Sequence, residues 1–578
     1  MYLSVVYYFM FLLPVNLRNK KWYQSIGMFV FLLPHAIAIV FNLADVAYYS
    51  FTLHRTNASF FQEFKNDTNL LLNAGSFLRT YWYVFVSVLG FVLVLCKSYC
   101  WIKMPEMDVS SSKKRASELL LLPFVVLLWL GLARGSFNPS DRPAGVSAAG
   151  EYVIHPEHTN IVLNTPFSIM MTWGNTLVPE VNYFATLEEA ATYYNPLHHL
   201  APDSSASMKN VVIIIVESMS KEFVGAYNSG ISNYTGYMPF LDSLISHSLT
   251  FQYGYSNGKR SVEALPSITS AIPTAAEAYI LTPHVNNKIN SLATVLKKYG
   301  YHTSFYHGGH RTTMNFAQFC RIAGFEKTFS KDDYPDPSHF DGAWAIWDEE
   351  YLQYFAQELN RGTQPFLSVI FTATSHHPFK IPVRYSSAFP KGTLDIHQSM
   401  GYTDYALKRF FETASKMPWY KNTLFVITAD HAATQSAYAD EYYNPQGFFA
   451  VPIVFFTPDS SLLGFRNELA QHTDIFPTVI DYLCLGDSIV AFGTSLLQQQ
   501  RKPVVICFSG LYQLFDGDYL LQFDGTHTTA MYNFKTDPGL KINLLNAIPD
   551  AQHRMETMVK AFIQQYNTRV RNNKMLPQ

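Results

Sequence analysis

Three apolar runs end on side chains that hold cations or move protons. "NVVIIIVE" ends at Glu217, "TLFVITAD" ends at Asp430 with His431 next, and "PFLSVIFTATS" leads into His376 and His377. A carboxylate at the end of a buried strand is costly to desolvate unless it is paired or bound to a cation. One such acid alone reads equally well as a helix cap or a loop ion pair; three strand ends carrying such groups point to a shared site. Oxygen and imidazole donors without thiolate suit Mg2+, Mn2+ or Zn2+, and the carboxylate share tilts the choice toward Mn2+ or Mg2+. A fourth group is something such a cation could act on. In "YSNGKRSVEALPSI", Gly258 loosens a turn, Lys259 and Arg260 bring positive charge, and Ser261 opens a helix that runs to Ala271. A hydroxyl at a helix N-terminus sits among free amides in a positive local field, where a phosphate is also welcome. By itself Ser261 reads first as a plain N-cap; beside a metal-competent set it becomes a candidate nucleophile.

The elements that must position these groups alternate along the chain. The continuous β-branched run at 210–218 has the texture of a strand buried on both faces of a parallel sheet. Helical stretches at 291–299, 349–359 and 402–415 each feed the next apolar run ("HTSFYHG", "PFLSVIFTATS" and "TLFVITAD"). "VPIVFFT" adds a strand and 474–483 a helix. The alternation predicts a doubly wound α/β sandwich that binds ligands outside the carboxyl ends of its strands. Beyond Lys502 the pattern becomes hairpin-like, with Asp516-Gly517 as a turn signal, so a small antiparallel sheet and a last helix over 550–568 are expected. The resulting division is an anchor at 1–134, a linker at 135–209 with one short helix near 186–194, a catalytic domain at 210–500 and a C-terminal subdomain at 501–578.

The anchor follows from composition. The 578 residues hold 42 Lys plus Arg against 44 Asp plus Glu, with 48% hydrophobic, 16% aromatic and 15% charged residues and a mean hydropathy of +0.01. So many apolar residues exclude a disordered chain, and without a basic excess a nucleic-acid partner is not expected. A charged fraction well below the usual quarter places part of the chain in lipid. Uncharged runs at 1–17, 22–44, 80–96 and 119–133 predict about four spans, the last leaning on Arg115 and Arg134 as snorkelling ends. Arg18, Lys20 and Lys21 follow the first run rather than precede it, which argues against a cleaved signal peptide. Basic residues also gather at Lys103, Lys113, Lys114 and Arg115. The positive-inside rule puts both clusters in the cytoplasm and, with four spans, both chain ends and the large remainder outside. The bland net charge of −2 thereby divides into an anchor with 12 basic and 6 acidic residues and a remainder with 30 and 38. The five cysteines (Cys96, Cys100, Cys320, Cys484 and Cys507) are too scattered for a disulfide framework.

Taken together, Glu217, "GKRS", "SHHPF" (375–379), "TADH" (428–431) and "HTDIFPTVI" (472–480) resemble, in order and spacing, the sulfatase and alkaline phosphatase superfamily. More narrowly, the multi-span anchor and "NLADVAYYSFTLHR" (42–55) resemble its lipoteichoic acid synthase branch, membrane-anchored phosphoglycerol transferases with an external catalytic domain. The resemblance covers 210–546 and implies a sulfatase-like α/β sandwich. It implies Glu217, Asp430 and His431 as metal ligands, with Ser261 as nucleophile and further ligand. His376 would face the substrate phosphate or the leaving group; Lys259 and Arg311, taken from their charge and not from the resemblance, are the further substrate-binding candidates. His472 belongs to a motif near the metal, and Asp348 has a supporting role. The activity implied is Mn2+-dependent transfer, Mg2+ or Zn2+ being alternatives, of a phosphoglycerol-like head group. The group would pass from a membrane phospholipid through a covalent serine adduct to an envelope glycan or lipid acceptor at the outer face of the cell membrane.

Three departures qualify this. The nucleophile is Ser where the branch has Thr. The branch's head-group Trp and Arg fall on Met314 and Phe316, leaving Arg311 or Arg321 as substitutes. Four spans stand where the branch has five. Competing readings are a sulfatase-like hydrolase or phosphodiesterase, a phosphoethanolamine transferase, and a non-catalytic membrane-tethered module. "SVEAL" lacks the Pro and Arg that sulfatases place after their modifiable residue, and three scattered external cysteines do not suit the disulfide-bonded phosphoethanolamine transferases.

Overall fold

The computed structural model describes every residue except 1, 13–15, 53–54, 59, 62–77, 102–111, 135–136, 138–158, 174–177, 202–206, 276, 312, 436–438, 500–502, 509 and 578. Much of the stretch between the second and third uncharged runs, the basic residue Lys103 and much of the expected linker fall outside the described residues, as do the side chains of Lys113, Lys114 and Arg115. The chain divides into two compact units, 1–58 with 74–175, and 59–73 with 176–578.

In the larger unit, strand β2 (Asn210–Val216) is buried along its whole length, as its unbroken Val/Ile run requires. It lies at the middle of an eight-stranded sheet ordered β5-β4-β6-β2-β7-β8-β3-β9. The strands are β3 (Ser248–Tyr255), β4 (His302–His307), β5 (Lys327–Phe329), β6 (Phe366–Phe371), β7 (Thr423–Ala429), β8 (Ile453–Phe456) and β9 (Gly464–Gln471). β2 pairs in parallel with β6 and β7, and β4 in parallel with β6 and β5. β8, the "VPIVFFT" run, instead lies antiparallel to both β7 and β3, so the sheet is mixed. The helix Asp348–Arg361 is amphipathic: Tyr351, Leu352, Phe355 and Leu359 are buried while Gln357 and Asn360 are exposed. The helix Asp395–Ala414 likewise buries Leu407, Phe410 and Phe411. β9 escaped the sequence reading because "GFRNELAQ" is a largely exposed edge strand without an apolar signature.

The stretch expected as a linker carries defined elements among its described residues. The helix Leu187–Ala191 lies against the C-terminal helix Pro549–Arg571, whose Gln565 amide donates to the Leu187 carbonyl at 2.7 Å. β1 (Leu197–Leu200) pairs antiparallel with β10 (Asp487–Val490). The C-terminal meander β11 (Val504–Phe508), β12 (Leu511–Asp516), β13 (Tyr519–Phe523) and β14 (Thr528–Asn533) is the expected antiparallel sheet. Its Asp516-Gly517 turn uses Gly517 at φ +60°, a left-handed conformation that favours glycine.

The smaller unit has three helices long and apolar enough to cross a membrane, Lys21–Tyr49, Trp82–Trp101 and Ala116–Arg134. In the first uncharged run, expected as a further span, the described residues Tyr2–Ser4 and Val5–Leu12 are helical, and residues 13–15 lie outside the described residues. Arg18, assigned to a cytoplasmic loop, is buried and donates to Glu118 at 2.7 Å near the start of the last span.

Candidate metal and nucleophile site

The parallel pairing of β2 with β7 brings the ends of two distant runs together: Val216 is opposite Ala429, so Glu217 and Asp430 emerge side by side. Suitable ligand atoms of Glu217, Asp430 and His431 all lie within 4.8 Å of one another, and all three residues are buried. The turn after β2 is tight. Ser218, at φ +54°, directs its amide onto Asp430 Oδ1 at 2.7 Å and its hydroxyl onto Glu217 Oε1 at 2.7 Å.

The helix Ser261–Ser270 completes the cluster. The Ser261 hydroxyl donates to Glu217 Oε2 at 3.2 Å and stands 3.5 Å from His431 Nε2. Arg260 at the N-cap is paired with Glu263 and Glu277, at 2.9 and 2.5 Å, and Glu263 Oε2 accepts from the Lys259 and Arg260 amides at 2.7 and 3.0 Å. The helix start is therefore braced by its own sequence.

Two features show that this donor set fits a cation. The His431 Nδ1 lies 3.0 Å from the Ala432 carbonyl, which can only accept, so Nδ1 carries a proton and Nε2 is the ring nitrogen turned to the cluster. Nε2 stands 3.2 Å from Asp430 Oδ2 and 3.8 Å from Glu217 Oε1. Asp430 Oδ2 is buried and accepts no hydrogen bond. Electron pairs converging in a buried place without a donor between them are what a divalent ion neutralises. Desolvation, followed by repulsion from Asp430, holds the Glu217 carboxyl well above the usual carboxylate range, a cost the same ion would remove.

The other candidate residues divide. His376, half-buried after β6, places Nδ1 2.9 Å from the His377 carbonyl, leaving the Nε2 lone pair free. Burial pushes its pKa down to about 4, so the imidazole is neutral at ordinary pH; as a proton donor already charged in the free protein it does not serve. Asp348 organises the loop before it: Oδ1 accepts from the Ala373 and Thr374 amides at 3.0 and 3.1 Å, and Oδ2 from Thr403 at 3.0 Å. Lys259 is buried and spends its ammonium on the Ala432 and Phe448 carbonyls at 3.0 and 2.7 Å, bracing the His431 loop rather than facing a substrate. His472 is buried with Nε2 3.3 Å from Thr428 Oγ1, beneath the strand that carries Asp430. Arg311 is held in a two-pronged pair with Asp333 at 2.9 and 2.7 Å. Phe316 is buried beside Phe305, His307 and Phe371.

Trp344 had escaped the sequence reading. Its indole N–H donates to the His377 carbonyl at 2.6 Å, and its ring centroid lies 4.3 Å from that of His376. The carbonyl that receives the His376 Nδ1 proton is thus pinned from outside. Ser375 was likewise missed; its hydroxyl ties the same loop to the Glu217 carbonyl at 2.6 Å. Nothing in sequence spacing relates Trp344 to His376, since 31 residues separate them.

Residues 209–484 match the Sulfatase family model. The lipoteichoic acid synthase-like protein YvgJ of Bacillus subtilis (strain 168) is 25% identical over 381 residues, which cover 60% of this chain and 60% of YvgJ. Lipoteichoic acid synthase 1 of the same organism is 22% identical over 482 residues, covering 78% of this chain and 72% of that one. The solved structure of the lipoteichoic acid synthase LtaP from Listeria monocytogenes has the same fold, with a TM-score of 0.55, 20% identity, and coverage of 68% of this chain and 99% of that chain. Residues 209–484 thus match a Sulfatase domain, the chain is similar to lipoteichoic acid synthases and synthase-like proteins, and it shares the fold of the solved synthase LtaP.

Proposed function

We propose that the protein is a membrane-anchored, metal-dependent transferase. It would move a phospho-alcohol head group from a phospholipid, through a covalent adduct on Ser261, to an envelope glycan or lipid acceptor. The observation that carries this is the Ser261 hydroxyl, 3.2 Å from Glu217 and 3.5 Å from His431 Nε2, at the mouth of a cation-competent trio. Glu217, Asp430 and His431 would hold the ion, with Ser261 as a further ligand. A divalent cation there, Mn2+, Mg2+ or Zn2+, supplies positive charge to the serine oxygen and the phosphoryl oxygens.

Ser261 loses its proton toward Glu217 as its oxygen bonds to phosphorus, and the bond from phosphorus to the diacylglycerol oxygen breaks. In the second half the acceptor hydroxyl attacks phosphorus, its proton passes to His376 Nε2, and the Ser261 oxygen leaves and is reprotonated. The diacylglycerol oxygen takes its proton from water as it leaves, because His376 is neutral in the free protein, and His376 returns the acceptor's proton to water at the end of the cycle. Asp348, Ser375 and Trp344 hold His376 in place for both halves. The membrane helices keep the site near a donor that stays in the bilayer. With three spans, Arg18–Lys21 and the basic residues of 97–115 still share one side, so the positive-inside rule leaves the catalytic unit on the outer face.

The head group is the least constrained part of the reading. Met314 and Phe316 stand where the branch has its Trp and Arg, and Arg311 is engaged with Asp333, so a group other than phosphoglycerol is compatible with the site. Purified protein with Mn2+ and fluorescent phosphatidylglycerol or phosphatidylethanolamine tests the whole scheme. Diacylglycerol release by the wild type and none by Ser261→Ala supports it; equal release by both overturns the Ser261 assignment. The mass added to Ser261 names the group, and release of the free phospho-alcohol without acceptor product would indicate a hydrolase.

A further inference from the structure

The short helix Thr165–Thr172 of the smaller unit is amphipathic the wrong way round for water. Its buried residues are Thr165, Ser168 and Ile169, with Leu163 just before them. Large apolar side chains face outward instead: Met170 is 39% exposed, Trp173 64%, and Ile161 and Val162 in the preceding turn 75% and 46%. No charged residue occurs between Thr159 and Trp173. In water such a helix would turn Met170 and Ile161 inward and the hydroxyls outward. Against lipid the opposite arrangement is the stable one.

Its height along the first span is fixed by hydrogen bonds. The Thr165 amide donates to Asn42 Oδ1 at 3.1 Å, and the Thr172 hydroxyl accepts from the Ala58 amide at 2.9 Å. Both ends of the short helix are therefore tied to the exit of the helix Lys21–Thr52. Within that helix the uncharged residues from Trp22 to Phe41 rise about 30 Å at 1.5 Å per residue, the thickness of the hydrocarbon core. Asn42 is the next residue, and Asp45, buried and paired with Arg55 at 3.0 Å, follows one turn later. The polar boundary of the span thus falls where Thr165 is attached.

We propose that residues 159–173 form an interfacial membrane helix, seated at the headgroup-to-acyl boundary of the leaflet at this span's C-terminal end. Met170, Trp173, Ile161 and Val162 would lie among the lipids. The surface commits to a phospholipid bilayer rather than a protein because it continues the lipid-facing surface of a span at the depth where polar residues resume. It rests only on the chain being a membrane protein and not on the transferase reading.

Spin labels at Ile161→Cys and Met170→Cys test it, in full-length protein with Cys96, Cys100 and Cys484 changed to Ser and reconstituted in phosphatidylglycerol–phosphatidylcholine nanodiscs. Both labels are expected to collide more with oxygen than with a water-soluble nickel chelate, at a depth near the carbonyl region. A label at Tyr193→Cys, on the larger unit, should favour the nickel chelate. Nickel-dominated collisions at 161 and 170 would overturn the proposal. So would protection from both reagents, which would mean that protein covers the face, and so would dipolar broadening that disappears on dilution with unlabelled protein, which would mean that a second copy does. Met170→Glu gives an independent readout: its label at 161 should move toward water by a measurable depth change, and an unchanged depth counts against the assignment.

Discussion

The two sides of the site are built on different principles. On one side, Glu217, Asp430, His431 and Ser261 crowd electron pairs into a buried space that their own hydrogen bonds leave unneutralised. On the other, from His307 to Phe316, side chains answer one another: Arg311 is paired with Asp333, and Lys331 approaches His310 and lies over the Phe340 ring at 3.9 Å. The first side needs an outside partner and therefore reveals its chemistry; the second is satisfied within the chain and leaves its ligand unnamed. Groups that carry a reaction are recognisable by what they lack, whereas groups that select a head group can be closed within the protein until a substrate opens them.

The largest test of this contrast is Ser261→Ala. Turnover should fall by about 10³-fold or more, as for other lost nucleophiles, while the thermal midpoint stays near wild type. A folded variant with more than a tenth of wild-type activity would break the contrast on its chemical side. Next comes the cation. Chelation should abolish diacylglycerol release, and Mn2+ should raise the thermal midpoint of wild type but not of Asp430→Asn, followed by calorimetric titration. An equal rise in both would move the ion elsewhere.

Asp348→Ala should lose stability and activity together. Two buried amides and the Thr403 hydroxyl lose their acceptor, at about 1–3 kcal/mol for each orphaned group, which denaturant unfolding would read. The pH profile separates the roles of His376. Its folded pKa, pushed down to about 4, means that the neutral form persists above that pH and is lost as pH falls through it. If His376 starts as the proton acceptor, the limb of kcat/KM assigned to it by His376→Gln lies near pH 4; a limb near 6.5 would show an unburied imidazole. Trp344→Phe keeps a ring beside His376 and deletes the N–H, so a loss of about tenfold in kcat is expected, with a changed imidazole nitrogen spectrum for His376 and little change in KM. The smallest effect belongs to the quiet side. Arg311→Ala removes an exposed ion pair worth about 0–1 kcal/mol, and kcat/KM should change by less than about threefold. A hundredfold loss would mean that Arg311 leaves Asp333 to meet the substrate.

Much of the fold was legible where burial writes itself into composition. β2, β6 and β7 are continuous apolar runs because both faces of the sheet are covered, and the amphipathic helices carry their periodicity openly. β3, whose "SLTFQYGY" mixes polar and apolar positions, and β9, exposed at the sheet edge, went unseen for the converse reason. The direction of β8 was equally hidden, because an apolar run reads the same in a parallel or an antiparallel pair.

The site divides along the same line. The amino-acid order alone determined which side chains could do the chemistry, because a carboxylate or serine hydroxyl beside a buried apolar run is recognisable locally. Only the tertiary structure decided which of them meet. Asp430 reaches Glu217 through the register of β2 on β7, and Trp344 reaches the His377 carbonyl across a loop. Arg311, by contrast, is drawn to Asp333, and Lys259 to two carbonyls. A charge in a sequence has no address until folding supplies its nearest counter-charge, and which partner wins depends on distance and burial that no local pattern encodes.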